Sequence, residues 1–124
     1  MENLAQIRRI VIKIGSSTLT HATGHLNLRR IETLVKIVSD FKNAGKQVVL
    51  VSSGAVSAGI ARLGADHRPR TPEEKQAMAA VGQSDLMAMY ERFFSTYGHT
   101  VGQILMTRDV VDNPVRLAAI CNTF

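Results

Sequence analysis

Two short segments combine glycine with hydroxyl side chains where predicted strands end. The first loop is residues 13–18 (K-I-G-S-S-T), and the second loop is residues 52–55 (S-S-G-A). Glycine lets a backbone approach a ligand closely, and amides at the start of a helix carry partial positive charge that favours phosphate or carboxylate. Both loops are therefore predicted anion-binding sites.

Lys13 adds a cation to the first loop. It interrupts an apolar run, and burying an ammonium group is costly unless its head reaches an anion at the strand end. A bound phosphate would offset that cost, whereas a lysine at an edge position would extend into solvent, and the residues alone leave both interpretations open. Neither G-x-x-x-x-G-K-[ST] nor G-x-G-x-x-G occurs, which disfavours P-loop and Rossmann dinucleotide sites.

The elements that must position these loops alternate between strand and helix. Short apolar runs predict strands at residues 8–14, 47–51 and 99–106. The second run is apolar throughout, which is typical of a strand buried on both faces of a parallel sheet. The predicted fold class is α/β, an open and mainly parallel sheet with helices on both faces. Ligands of such sheets bind beyond the carboxyl ends of the strands, where both loops lie.

The predicted helices have recognisable ends. The first follows an Asn27 cap and stops before Gly45, and the second starts after the second loop and ends at Gly64. The third begins with a capping box and a proline in its first turn, and it can run to residue 98, either continuously or with an interruption at Gly82. Its apolar face is predicted to lie in the core and comprises Met78, Val81, Leu86, Met89, Tyr90 and Phe93.

Composition excludes several classes of protein. The 124 residues suit one domain or part of one, and 45% hydrophobic with 20% charged residues is ordinary globular usage. No run of about 18 apolar residues and no signal peptide is present, so we expect a soluble, cytoplasmic protein without a membrane partner. The net charge of +5 comes from scattered basic residues without tryptophan. That pattern suits anionic substrates better than a nucleic-acid partner.

Metal and thiol chemistry find little support. Cys121 is the only cysteine, and the four histidines have no cysteine partners at ligand spacing. We assign no metal ligand, and we expect Cys121 to be a small buried hydrophobe. Asp109 and Asp112 follow the third predicted strand, where capping a turn is favoured over holding a cation.

Five segments together resemble the N-terminal half of kinases in the amino acid kinase family: V-I-K-I-G-S-S-T-L-T and L-V-S-S-G-A-V-S-A-G, then Y-E-R-F-F-S-T-Y-G, and finally the pair K-Q-A-M-A-A-V-G-Q-S and Q-I-L-M-T-R-D. The resemblance runs from about Ile10 to Asp112. The first two segments indicate the family as a whole. The last two are more similar to its glutamate 5-kinases than to its acetylglutamate, carbamate, aspartate or uridylate kinases.

The resemblance implies a reaction and its ligands. ATP would phosphorylate the γ-carboxylate of L-glutamate with Mg²⁺ present, giving glutamyl 5-phosphate as the first step of proline synthesis. It also implies inhibition by L-proline in many members and a homo-oligomer. The strand-one lysine of the family matches Lys13, which would contact the transferring phosphoryl group as a catalytic residue, assisted by Gly15 and Ser16. Ser53, Gly54 and Ala55 match the loop that holds glutamate.

The end of the chain departs from the family pattern. Residues 116–123 read R-L-A-A-I-C-N-T, where family members read close to R-Y-L-N-A-R-N-T. The family's adenine pocket and its other glutamate ligands would lie beyond Phe124. We therefore expect residues 1–124 to be the N-terminal part of the kinase domain, without the nucleotide-binding part, and to be inactive alone.

Three other interpretations remain open at this point. The chain could be a non-catalytic module that binds an amino acid or another anion through its second loop. It could belong to a different branch of the same family. A nucleic-acid binder is the third, and it would require binding that weakens steeply with salt.

Overall fold

The computed structural model describes residues 4–124. A 3-10 helix (Leu4–Gln6) precedes two strands and six helices in the order β1, α1, α2, β2, α3, α4, α5, α6. Their bounds are β1 Arg9–Ile14, α1 Ser16–Leu19, α2 Leu28–Asn43, β2 Gln47–Ser52, α3 Ala55–Leu63, α4 Pro72–Ser95, α5 Arg108–Asp112 and α6 Pro114–Thr123. Among residues 4–124, no helix is both long and apolar enough to cross a bilayer.

The sheet consists of β1 and β2, which pair in parallel. The register runs from Arg9 opposite Gln47 to Ile14 opposite Ser52. Helix α2 forms the connection, since parallel neighbours need a crossover rather than a tight turn. The predicted open parallel sheet with helices is confirmed.

The core lies between one face of this sheet and helices α2 and α4. Its buried members are Ile14, Leu19, Ile31, Val35, Val38, Leu86, Tyr90 and Phe94. Residues of a strand alternate between faces, and on the opposite face Val11 and Val51 are 63% and 49% exposed. The described helices thus cover one face of the pair, and the exposed face is the one that carries Lys13.

The caps predicted for α2 and α3 are present. The side chain of Asn27 accepts a hydrogen bond from the Arg30 amide at 3.1 Å. At the other end the chain turns through Gly45, whose φ is +80°. Helix α3 ends at Gly64 with φ of +62°, a conformation that glycine adopts without steric cost.

Helix α4 begins as predicted but has no interruption. Thr71 Oγ1 accepts from the Glu74 amide at 3.2 Å, and Glu74 Oε2 accepts from the Arg70 amide at 2.7 Å. The helix continues through Gly82 without a bend, and this glycine lies in contact with helix α3. A Cβ at Gly82 would overlap the Ala55 carbonyl and the Gly59 amide, and one at Gly59 would overlap the Met78 carbonyl. The two glycines allow the backbones of α3 and α4 to touch.

The prediction of a third strand at residues 99–106 is wrong. The segment runs beside β2 without forming ladder hydrogen bonds within the described part of the chain. A cavity of about 680 Å³, lined by β2 residues and by this segment, lies between them. Apolar, β-branched residues favour an extended chain, but a strand also needs a hydrogen-bonded neighbour. Among residues 4–124, none pairs with the second edge of β2.

Helices α5 and α6 lie on the surface. Asp109 Oδ2 pairs with Arg116 at 2.6 Å, and its Oδ1 accepts from the Thr107 hydroxyl, so this carboxylate braces the two helices. Cys121 is exposed, so the prediction that it is buried is wrong. Neither α5 nor α6 has a buried residue, which explains why an apolar-looking segment leaves its cysteine in solvent.

Candidate functional site

The two predicted anion-binding loops meet at the carboxyl edge of the sheet. The ladder ends with Ile14 opposite Ser52, and one residue later the Ser53 amide donates to the Ile14 carbonyl at 2.9 Å. The parallel register brings the loops together because both follow strands that end at the same edge. The structure thus brings the Gly15–Ser16 segment close to the segment containing Ser53.

The first loop begins at the end of β1 and continues into the single helical turn α1. The Thr18 amide donates to the Gly15 carbonyl at 3.1 Å, and Thr20 Oγ1 donates to the Ser16 carbonyl at 2.9 Å. Arg30 on α2 reaches over and donates to the Ser17 carbonyl at 3.4 Å. Two of these hydrogen bonds lie within the turn itself, and the third comes from the exposed guanidinium of Arg30. The side chains of Ser16, Ser17 and Thr18 all remain exposed.

Gly15 leaves space at the start of this turn. Its φ is −79°, a value that any residue adopts. A Cβ built there would have no heavy atom within 4 Å. Neither backbone conformation nor packing within the described chain requires glycine at this position, so the missing side chain gives room for a ligand to approach the backbone.

The second loop is fixed by a glycine conformation and by packing. Gly54 has φ of +117°, which side-chain-bearing residues rarely adopt. It is buried, and a Cβ there would lie 3.4 Å from Leu19 Cδ1, at the end of the first loop's turn. The Gly54 carbonyl accepts from the Ala58 amide at 2.9 Å and so starts α3. The first amides of α3 have no partner within the helix, which suits them to a carboxylate.

Helix α4 contacts the second loop at two positions. Gly82 lies against the Ala55 carbonyl, and the Tyr90 hydroxyl is 2.8 Å from Ser52 Oγ. Ser53 itself is exposed and Ala55 is half-buried. The loop thus presents Ser53 to solvent on a backbone that the core holds in place.

Lys13 lies on the exposed face of β1, opposite Val51 in the ladder. Within residues 4–124, its ammonium group has no hydrogen bond or ion pair. Of the two interpretations that the sequence left open, the structure therefore shows the lysine that extends into solvent, and no free-energy cost of burying its ammonium group arises. It is free to pair with an anion near the first loop.

The described residues do not assemble a metal-ligand cluster. No group of three or more His, Cys, Asp and Glu side chains within residues 4–124 could hold an ion. Asp109 is paired with Arg116, and both loops lack carboxylates. What the loops offer is amides, hydroxyls and one ammonium group, which are donors for anionic ligands.

Sequence reasoning missed two residues that shape this site, Tyr90 and Arg30, and it placed Ser52 in the second loop without its link to Tyr90. Tyr90 counted only as part of an apolar face. A buried tyrosine hydroxyl usually finds a hydrogen-bond partner, and that rule is the signal that could have led to Ser52. Arg30 left no signal in the sequence, because its contact with Ser17 depends on how α2 crosses the first loop.

Comparison with protein families places this site in a known context. The model of the amino acid kinase family matches residues 8–121, which include both loops and the helices that support them. The chain belongs to the amino acid kinase family.

Curated relatives are named glutamate 5-kinase. One from Clostridium perfringens is 51% identical over 121 residues, covering 98% of this chain and 45% of the relative. One from Moorella thermoacetica is 63% identical over 110 residues, covering 88% of this chain and 29% of the relative. A third, from Listeria innocua, is 50% identical and covers 98% of this chain and 44% of the relative. This amino acid kinase family chain therefore spans less than half the length of the relatives it matches.

Proposed function

We propose that the chain supplies the first part of a kinase site in which ATP phosphorylates the γ-carboxylate of L-glutamate. The observation that carries this proposal is the joining of two donor-rich loops by the bond from the Ser53 amide to the Ile14 carbonyl. Two anions, a phosphate and a carboxylate, must approach each other during such a reaction. Family membership and relatives named glutamate 5-kinase support the same proposal.

In the proposed reaction, a γ-carboxylate oxygen of glutamate attacks the γ-phosphorus of ATP. A new O–P bond forms while the bond between that phosphorus and the β,γ-bridging oxygen breaks, which releases ADP and glutamyl 5-phosphate. No proton need move. Phosphoryl transfer depends mainly on positioning and on neutralising charge that spreads over the equatorial oxygens.

The first loop is assigned to the phosphates. Lys13 brings a positive charge to the transferring phosphoryl group, where charge is redistributed most in the transition state. The Gly15 and Ser16 backbone is open to close approach, since no side chain fills the space beside Gly15. The ammonium group and the backbone amides act together as hydrogen-bond donors to the phosphate oxygens, and none of them has to gain or lose a proton in the reaction.

The second loop is assigned to glutamate. The Ser53 hydroxyl is exposed, and the amides of Gly54 and Ala55 lie at the start of α3, where the helix dipole favours a carboxylate. Because the two loops are tied together at Ser53 and Ile14, a glutamate held by one loop lies next to a phosphate held by the other. Proximity of this kind contributes a large share of catalysis in two-substrate reactions.

The described residues do not themselves fit a Mg²⁺ ion, since no carboxylate set surrounds the loops. Our proposal therefore brings Mg²⁺ with ATP, bound to the phosphates and water as this ion commonly is, and assigns it no residue of this chain. The chain spans less than half of its relatives, so we also propose that residues 1–124 alone do not turn over ATP.

Several wider features of the proposal rest on the resemblance alone. They are a place in proline synthesis, inhibition by L-proline and a homo-oligomer, whereas the proposed cytoplasmic location rests on the composition of the chain. Each has a direct assay, and none affects the assignment of the two loops.

The test is glutamate-dependent ADP release by the native gene product. Lys13→Ala should lower kcat about a hundredfold, equivalent to roughly 3 kcal/mol, with a much smaller change in KM. Arg9→Ala is the matched control, because Arg9 is a cation on the same face of the same strand, and it should leave kcat within about twofold of wild type.

A second pair of variants separates the loops. Ser53→Ala should raise the KM for glutamate by about tenfold or more and leave the KM for ATP unchanged, because a hydroxyl bonded to a charged partner is lost. Ser84→Ala, an exposed serine on α4, is the control. Glutamate binding without ADP release would favour a non-catalytic amino-acid-binding module, and a defect for ATP alone would reverse the two loop assignments.

A further inference from the structure

A chain of hydroxyl groups connects the core to the second loop. Tyr90 Oη lies 2.8 Å from Ser52 Oγ, and Ser52 Oγ donates to the Ser53 carbonyl at 2.9 Å. A serine hydroxyl has one proton and the carbonyl has none, so Ser52 donates to Ser53. The Tyr90 hydroxyl must then donate to Ser52, and the direction of both hydrogen bonds is fixed.

The inner end of this chain is rigid. Tyr90 is only 5% exposed and its ring lies 6.3 Å from that of Phe94, centroid to centroid. Burial raises the pKa of the Tyr90 phenol, and the hydrogen bond with Ser52 lowers it by a smaller amount. The phenol therefore keeps its proton at neutral pH and remains a donor.

The outer end of the chain controls the direction of an amide. The Ser53 carbonyl and the Gly54 N–H belong to one planar peptide group and point in opposite directions. A hydrogen bond that holds the carbonyl therefore also sets where the Gly54 N–H points. The neighbouring Ser53 N–H donates to the Ile14 carbonyl at 2.9 Å, and a loosened Ser53–Gly54 peptide would let this bond open more often.

We propose that Tyr90 is a positioning residue: acting through Ser52, it orients the Ser53–Gly54 peptide toward the substrate carboxylate. This inference rests on the proposed function of the second loop and adds a residue in the core, on α4, to the determinants of glutamate affinity. Tyr90 does not touch substrate. Its effect is expected on the second loop, because the chain of hydroxyl groups ends at the Ser53 carbonyl.

The experiment uses kinetics of the native gene product with L-glutamate and ATP varied separately. Tyr90→Phe keeps the ring and removes only the hydroxyl, and it should raise the KM for glutamate about five- to tenfold while the KM for ATP stays unchanged. Ser52→Ala should have a similar effect. Ser52→Thr, which keeps a hydroxyl, should retain the wild-type value.

The double variant tests whether the two hydroxyls act in series. Tyr90→Phe combined with Ser52→Ala should be no worse than Ser52→Ala alone, because the effects of substitutions within one hydrogen-bonded chain are not additive.

Phe94→Leu is the structural control: it removes packing beside Tyr90 and keeps the hydroxyl chain. It should lower the melting temperature without changing the KM for glutamate. Unchanged glutamate KM in both single variants, or an equal rise for ATP, overturns the proposal.

Amide hydrogen exchange separates this proposal from the proposed function. If wild-type protein shows no glutamate-dependent ADP release, the proposed function fails, and exchange still tests the positioning role. Tyr90→Phe should speed exchange at Ser53 and leave exchange in the middle of α4 unchanged. Exchange at Ser53 equal to wild type, or acceleration spread along α4, overturns the proposal. If Tyr90→Phe does not fold, Ser52→Ala, altered at an exposed residue, gives the same readout.

Discussion

The two loops of the candidate site follow neighbouring parallel strands, but they are held in different ways. The second loop is connected to the core, through the Ser53 amide to β1, through Ser52 to Tyr90 and through Ala55 to Gly82. The first loop leads into a single turn, α1, whose residues 16–18 are exposed; Arg30 bonds to this turn, and the buried Leu19 anchors its end in the core. Under the proposed function the second loop holds a small amino acid, and an ordered backbone loses less entropy on binding. In the same proposal the first loop binds the flexible phosphates of ATP, and its exposed turn can adjust to their position.

The largest expected effect is at Gly82, where α4 touches the second loop. Gly82→Ala should destabilise the chain by about 3 kcal/mol or more, because its Cβ would overlap the Ala55 carbonyl and the Gly59 amide. Urea unfolding of the 124-residue chain measures the loss. Helix propensity alone predicts the opposite sign, a gain of about 1 kcal/mol, so the sign of the change decides whether the close helix contact exists.

The control for this substitution is Ala80→Gly, at an exposed position of the same helix. It should cost about 1 kcal/mol through propensity alone. A Gly82→Ala chain as stable as wild type would contradict the packing of α3 against α4.

The next effect is at Gly54, whose backbone conformation starts α3. Gly54→Ala should cost about 1–3 kcal/mol, since its φ of +117° is strained for any residue with a Cβ. The new methyl group would also press on Leu19. Gly45→Ala is the control, with φ of +80° and open space around it, and equal losses for the two variants would show that contact with Leu19 contributes nothing.

A smaller effect should appear at high pH through Tyr90. Its pKa in the folded chain is raised above the ordinary value of 10.0, so folding favours the protonated phenol. That contribution to stability is fully present below about pH 10 and is lost as pH rises through the folded-state pKa. Urea unfolding of wild type and Tyr90→Phe across this range should show a steeper decline for wild type. Parallel curves would contradict the burial of the phenol.

The smallest effect on folding is expected at Gly15. Gly15→Ala should change the free energy of unfolding by no more than about 0.5 kcal/mol, because φ is −79° and no atom lies within 4 Å of the new methyl group. The same variant of the native gene product should raise the KM for ATP, since the methyl group occupies the approach to the backbone. A stability loss as large as that of Gly54→Ala would remove the contrast between the loops.

Local sequence signals predicted the helix ends and the two loops. Asn27 and Gly64 mark helix ends where expected, and Thr71 with Pro72 starts α4 as predicted. The first two strands lie within a residue of their predicted bounds, at Arg9–Ile14 and Gln47–Ser52. Caps, glycine turns and apolar runs act over a few residues, so a single sequence contains the information that places them.

Contacts between distant residues decided the rest. Residues 99–106 have the composition of a strand, yet pairing with β2 depends on an edge more than 45 residues away in the chain. Gly82 looked like a break in a helix and instead allows a close contact between two helices. Cys121 has apolar neighbours in the sequence, but it lies on α6, a helix in which no residue is buried by the rest of the described chain.

The candidate site divides in the same way. The sequence by itself determined that glycine and serine lie at the ends of two strands and that a lysine lies near the end of the first, because residue type and local propensity are enough to specify such loops. Only the tertiary structure decided that the loops touch at Ser53 and Ile14 and that Tyr90 supports the second loop. The physical reason is that sheet register and the crossing of α4 are set by packing and hydrogen bonds between distant segments. Those interactions leave no periodic pattern near the residues they position.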